Sequence, residues 1–118
     1  MGSLERAVRD NPDEPNNHSA LGMALAFLER KADAIREGER ALAMRGNDGF
    51  QGPELRHQLS RIYQLVGEPV KAIEQLEALL GVPYYVSPGW LRVDPSIESL
   101  RNHPRFQRLR AVADSLAR

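Results

Sequence analysis

The chain has 118 residues, of which 42% are hydrophobic and 27% are charged, a balance that predicts one small folded domain rather than a disordered chain. Sixteen basic residues balance sixteen acidic ones, so the net charge does not direct the protein to nucleic acid or to an anionic membrane. The sequence has no cysteine, which excludes disulfides and thiolate catalysis and favours a reducing, cytoplasmic location.

The first predicted element is a short helix over residues 4–10, followed by a turn at Pro12. We interpret residues 1–3, Met-Gly-Ser, as an expression leader, with a native start as the alternative. The most apolar window, residues 20–28, is far below the ~20 residues that span a bilayer. It also lacks the basic front and the cleavage site of a signal peptide. We therefore expect no membrane segment.

Two helical pairs follow, predicted over residues 15–29 with 31–45 and over residues 53–66 with 69–80. Their sequences repeat at a spacing of 38 residues. Leu21 corresponds to Leu59, and an Ala-Ile pair recurs at residues 34–35 and 72–73. Three glycines and a proline in residues 46–53 predict a loop between the two pairs.

This pattern resembles the tetratricopeptide repeat, which runs W-x2-L-G-x2-Y, then A-x3-F, then a proline, with a period of about 34 residues. The first copy matches through Leu21, Gly22, Leu25, Ala34 and Ala41, and the second through Leu59, Ser60, Tyr63, Ala72, Leu76 and Leu79. Upstream, Ala7-Val8 precedes Ala41-Leu42 by 34 residues, so residues 4–12 resemble an orphan second helix of a preceding repeat.

The resemblance implies an all-α fold of antiparallel helix-turn-helix repeats that form a short right-handed superhelix, capped by C-terminal helices. The implied divisions are the orphan helix 4–12, a repeat 13–46, a loop 47–52, a repeat 53–87 and a cap 88–118. The chain departs from the family pattern where the first helices begin, with His18 and Arg56 in place of an aromatic residue. It also departs at Gly38, where an aromatic is usual, and at Gly46, where a proline is usual. We therefore expect a locally irregular superhelix.

The tail differs in character from the repeats. Its strings W-L-R-V-D-P and L-R-N-H-P-R-F resemble a terminal segment of bacterial tetratricopeptide proteins, some with kinase or adenylate-cyclase-like domains. A helix is predicted to begin at Pro104, with Phe106, Leu109, Val112 and Leu116 on one apolar stripe. Because the last face of a repeat array must be covered, we expect this stripe to act as a cap, with Trp90 and Leu91 in the core.

No motif in the sequence specifies an enzyme. His18, His57 and His103 lack metal-ligand spacing. The glycines at 46, 49 and 52 lack the Lys and Ser/Thr of a phosphate loop, and no G-x-S-x-G string is present. We expect a non-catalytic chain with no metal and no cofactor.

The resemblance implies that a protein or peptide ligand binds on the concave face formed by the first helices of the repeats. The eight residues that it implies on that face are Asn16, Ser19, Met23, Phe27, His57, Gln58, Arg61 and Gln64. The alternative is that Phe27 and Leu65 pack into neighbouring helices. A chaperone-binding carboxylate clamp is disfavoured, because Ser19, Met23 and Gln58 stand where Lys, Asn and Asn would be required.

The functional prediction is an interaction module within a larger bacterial regulatory protein. The first alternative is a structural role, in which the module packs against its parent protein or self-associates through the orphan helix. The second is binding of RNA or an acidic partner by the tail, where six arginines stand against three acidic residues over residues 88–118. The balance of charges in the whole chain disfavours nucleic acid.

Overall fold

The computed structural model describes residues 2–45, 52–79 and 100–116, and these residues form helices and turns with no strand among them. The helices in these ranges are α1 (Gly2–Asp10), α2 (Pro15–Phe27), α3 (Lys31–Arg45), α4 (Gly52–Leu65), α5 (Pro69–Leu79) and α6 (Pro104–Leu116). The predicted all-α class is confirmed. The predicted helices begin and end within two residues of the observed ones, and α1 continues through Gly2 and Ser3.

Three helices begin at a proline, which suits a first turn whose N–H groups have no helical partner. Glu14 caps α2, because its carboxylate Oε1 accepts the N–H of Asn16 at 3.2 Å. His103 caps α6 in the same way, with its Nδ1 accepting the N–H of Arg105 at 3.1 Å. The predicted loop 47–52 lies outside the described residues except for Gly52, which opens α4.

The helices pack in chain order. α2 packs against α3, α4 packs against both, α5 packs against α4, and the ends are covered by α1 on α2 and α6 on α5. One core cluster joins α2 and α3 to Ile62 of α4, and Leu4 and Val8 of α1 pack against it. The other joins α4 and α5 to the C-terminal segment through Leu100, Phe106 and Leu109. The hydrophobic core therefore runs along the stack of helices.

The two helical pairs share their turn geometry, and we call residues that lie 38 apart in the two pairs matched positions. In the α2–α3 turn the N–H of Arg30 donates to the carbonyl of Leu25 at 3.0 Å; in the α4–α5 turn the N–H of Glu68 donates to the carbonyl of Tyr63 at 2.8 Å. The residue before each donor has a positive φ, 61° at Glu29 and 81° at Gly67. Both pairs therefore end their first helix with the same Schellman-type cap.

Two glycines explain how α2, α3 and α4 approach one another. A Cβ at Gly22 would lie 2.9 Å from Ile62 Cδ1 and 3.1 Å from the carbonyl oxygen of Ala34. A Cβ at Gly38 would lie 2.8 Å from Ile62 Cδ1 and 2.9 Å from Leu59 Cδ1. The fully buried Ile62 thus fills a notch that both glycines leave. This packing accounts for a glycine at both positions.

The C-terminal helix covers the end of the stack, as the apolar stripe predicts. Phe106 is fully buried and Leu109 nearly so, and both pack in the cluster that holds Leu76 and Leu79 of α5. Val112, on the same predicted stripe, is 49% exposed, so it contributes less to the cover than Phe106 and Leu109. Trp90 and Leu91, predicted to be core, lie outside the described residues.

Candidate binding surface

The predicted ligand face on α2 divides into exposed and covered residues. Asn16 is exposed and Phe27 is 68% exposed. Ser19 is buried, so it lies beneath this surface. Met23 is half-buried and packs against the core cluster of Leu21, Leu25 and Ile62. Phe27 is therefore the most exposed large apolar side chain of this set.

The predicted ligand residues on α4 are His57, Gln58, Arg61 and Gln64, and all four are half-buried. They offer polar and charged groups rather than an apolar surface. The next residue of α4, Leu65, is 42% exposed and is the matched position of Phe27. Phe27 and Leu65 thus end two helices that pack against each other, and neither is buried in a neighbouring helix.

The exposed apolar side chains at these helix ends form what we call the apolar edge, made up of Phe27, Leu28 and Leu65. Leu28 is 54% exposed. Beside the edge lies a pocket of about 240 Å³ between the two helix ends, lined by Ala26, Glu29, Lys31, Leu65 and Val66. Apolar side chains beside a concave pocket are the usual form of an anchor site for a partner protein.

Lys31, which lines this pocket, forms an ion pair with Glu68 of the α4–α5 turn. Lys31 Nζ lies 2.6 Å from Glu68 Oε1. The hydrogen bond and the charge of Lys31 lower the pKa of the Glu68 carboxyl, and Lys71 adds to the effect. The pair joins the start of α3 to the α4–α5 turn.

The polar residues at the starts of α2 and α4 have structural partners. His18 is almost fully buried, with Nδ1 2.6 Å from Glu37 Oε2 and Nε2 2.8 Å from the carbonyl oxygen of Pro12. At the matched positions, Arg56 Nη1 donates to Gln75 Oε1 at 3.1 Å. In both pairs, therefore, a polar contact joins the two helices at matched positions.

The remaining chemistry-bearing groups serve the fold. No cluster of three or more His, Asp or Glu side chains within the described ranges is placed to hold a metal ion. Arg105 of the arginine-rich tail makes two bonds to Glu77 of α5, Nε to Oε2 at 2.9 Å and Nη2 to Oε1 at 2.7 Å. This pairing raises the pKa of the Arg105 guanidinium and attaches α6 to α5.

Phe27 and Met23 are both predicted ligand residues, and the sequence around them does not distinguish one from the other. Both are apolar residues of one helix, and it is the packing of Met23 against the core cluster that separates them. The available signal is the 38-residue match of Phe27 with Leu65, two apolar residues that directly precede the turns.

Comparisons of the chain with protein-family models, with curated proteins and with solved structures give no match in any of the three. Among the described helices, none combines the length and the apolar character needed to cross a membrane.

Proposed function

We propose that the chain is a helical repeat module of the tetratricopeptide type that binds a protein or peptide and does not catalyse a reaction. The observation that carries the proposal is the apolar edge. Phe27 and Leu65 are exposed at matched positions of two packed helices, where burial in the fold would otherwise be the favourable outcome for such side chains.

The ligand that suits this surface is an extended or helical peptide with apolar anchor residues. Its anchors would contact Phe27, Leu28 and Leu65 and enter the pocket lined by Ala26 and Val66. Polar groups of the ligand would meet Glu29, which lines the pocket, and Arg61 and Gln64 on α4. Aromatic and aliphatic anchors surrounded by polar groups are the arrangement that concentrates binding energy in interfaces.

The test is selection of peptides from a displayed random library on three proteins. These are the wild-type chain, a Phe27→Glu/Leu65→Glu variant, and a Val112→Glu control that places a carboxylate on another exposed apolar position. We expect the wild type and the control to enrich the same apolar motif and the double variant to lose it. Enrichment of one motif by all three, or of none by the wild type, would overturn the proposal.

The structural alternative is self-association through the orphan helix. Leu4 and Val8 of α1 pack against the core cluster that includes Leu21 and Leu25, so these apolar residues are already engaged within the chain. Light scattering over a range of concentrations measures the oligomeric state directly. A monomer at high concentration argues against self-association and leaves ligand binding as the proposal.

A further inference from the structure

An open pocket of about 220 Å³ lies between α1, α2 and α3, apart from the apolar edge. The buried side chains of Leu21 and Leu25 form its floor. Charged residues form its rim: Glu5, Arg30, Asp33, Arg36 and Glu37. It shares no lining residue with the pocket beside the apolar edge, so binding of a ligand here is independent of the proposed function. We call it the Leu25 pocket.

The second helical pair shows what fills the corresponding space. The matched position of Leu25 is Tyr63, which is buried. Its hydroxyl donates to Glu39 Oε2 at 2.8 Å, and Lys71 Nζ lies 5.9 Å from the centre of its ring. Glu68 and Glu74 are close enough for their charges to act on its hydroxyl. Tyr63 thus occupies the space between α3, α4 and α5.

Each of these neighbours has a counterpart that lines the Leu25 pocket. Arg30, Asp33 and Arg36 are the matched positions of Glu68, Lys71 and Glu74. Glu5 precedes Glu39 by 34 residues, the same spacing that relates Ala7-Val8 of α1 to Ala41-Leu42 of α3. The Leu25 pocket therefore corresponds to the space that Tyr63 fills in the second helical pair, with a leucine where that pair has a tyrosine.

The charges of the rim indicate which ligand would fit. Asp33 is held by Arg30 at 2.7 Å and by Arg36, and Glu37 is held by His18. Glu5 is exposed and makes no hydrogen bond or ion pair within the described part of the chain. A carboxylate at this place is what the Tyr63 hydroxyl binds in the second pair. Glu5 can accept a hydrogen bond from a phenol in the same way.

We propose that the Leu25 pocket binds a tyrosine side chain of a partner protein. The ring lies on Leu21 and Leu25, and the hydroxyl donates to the carboxylate of Glu5. The contact repeats between two molecules what Tyr63 and Glu39 do within one. A phosphorylated tyrosine has no phenolic hydroxyl to donate to Glu5, so the unmodified side chain is the ligand.

The experiment is a nuclear magnetic resonance titration of the full chain with N-acetyl-tyrosinamide. The matched control ligand is N-acetyl-phenylalaninamide, which lacks only the hydroxyl. We expect the tyrosine probe to shift amide signals around Glu5, Leu25 and Asp33, and the phenylalanine probe to bind about tenfold more weakly, since a hydrogen bond to a charged group is lost. Equal binding of both probes, or shifts located elsewhere, would overturn the proposal.

Three variants test the assignment. Leu25→Tyr fills the pocket from within and is expected to abolish the shifts, whereas Glu5→Ala is expected to make the two probes bind equally. Tyr63→Leu empties the matched space and should add a second set of shifts around Glu39 and Lys71. If Tyr63→Leu does not fold, the other two variants still decide the matter. Unchanged binding by Leu25→Tyr contradicts the proposal.

Discussion

At the scale of single residues, the fold depends on the notch that Gly22 and Gly38 leave for Ile62. The two glycines meet different obstacles. A Cβ at Gly22 would press on a backbone carbonyl, that of Ala34 at 3.1 Å, as well as on Ile62 Cδ1. A Cβ at Gly38 would meet only the ends of Ile62 and Leu59 within 3 Å. Backbone atoms of packed helices move less readily than the ends of side chains, so the two positions should tolerate a methyl group differently.

We therefore expect Gly22→Ala to lower the free energy of unfolding by roughly 1–3 kcal/mol, the usual cost of overpacking a core. Gly38→Ala should change it by less, because alanine gains about 1 kcal/mol over glycine within a helix. Urea denaturation of both variants measures the difference. Ile62→Val, which removes the Cδ1 methyl, is then combined with each glycine variant. It should reduce the steric cost of Gly38→Ala more than that of Gly22→Ala. Equal losses for the two glycine variants would contradict this account.

Tyr63 supplies a prediction about pH at the same scale. Burial of its side chain is the largest cause of a raised pKa, followed by the hydrogen bond to Glu39 and the charges of Glu39, Glu74 and Glu68. Because the folded-state pKa lies above the unfolded value of about 10, the neutral tyrosine stabilises the folded state. This stabilisation is complete below about pH 10 and is lost as the pH rises through the folded pKa.

The measurement uses a chain in which Tyr84 and Tyr85 are changed to Phe, which leaves Tyr63 as its one tyrosine. Tyrosinate absorbance should appear near pH 10 in urea and at a higher pH in the folded protein, while the free energy of unfolding falls above pH 10. A Glu39→Gln variant serves as the control and should titrate at a lower pH than the parent. Ionisation of the folded chain near pH 10 would show that Tyr63 is not buried beside carboxylates.

At the scale of elements, the two turns are the same structure built with different residues. Gly67 adopts a positive φ of 81° without strain, and no atom lies within 4 Å of where its Cβ would be. Glu29 adopts the corresponding φ of 61°, a conformation that costs an L-residue roughly 1–2 kcal/mol. The first turn is therefore the weaker of the two.

Exchanging the residue types should expose this difference. Glu29→Gly is expected to raise the free energy of unfolding by roughly 0.5–1 kcal/mol, since the gain in backbone conformation exceeds the entropy that glycine adds to the unfolded chain. Gly67→Ala is expected to lower it by about 1 kcal/mol through backbone conformation alone. Thermal unfolding followed by circular dichroism measures both changes in stability. A destabilised Glu29→Gly variant would mean that the Glu29 side chain contributes more than its backbone conformation costs.

The same turns show how far sequence can predict this structure. Helical periodicity and the prolines at residues 15, 69 and 104 locate the helices, because these signals act within one element. The predicted end of α2, at Glu29, is two residues late, because a glutamate carries none of the signal that Gly67 gives. From the sequence alone, Gly38 is predicted to destabilise α3. The packing that favours a glycine there comes from Ile62, which lies on another helix. Exposure of Phe27 rather than Met23 likewise depends on contacts between elements.

At the scale of the whole molecule, the helices stack in chain order, so the effect of a defect should decrease with distance along the stack. In such arrays stability is approximately the sum of terms from each unit and from each interface between neighbours. α6 joins the stack through Phe106 and Leu109, and through the bonds between Arg105 and Glu77. It is therefore the place to test whether the chain unfolds as one unit or from one end.

Phe106→Ala is the change that weakens this end most. Its side chain is fully buried in the cluster with Leu76 and Leu79, and such a truncation costs about 3–5 kcal/mol, a large part of the roughly 5–15 kcal/mol typical of a domain. We expect amide hydrogen exchange to accelerate much more in α5 and α6 than in α2 and α3. Val112→Ala, at a half-exposed position of the same helix, is the control and should leave exchange nearly unchanged. Equal acceleration in all helices would show that the chain unfolds as a single cooperative unit and that α6 stabilises α2 and α3 as much as its neighbour α5.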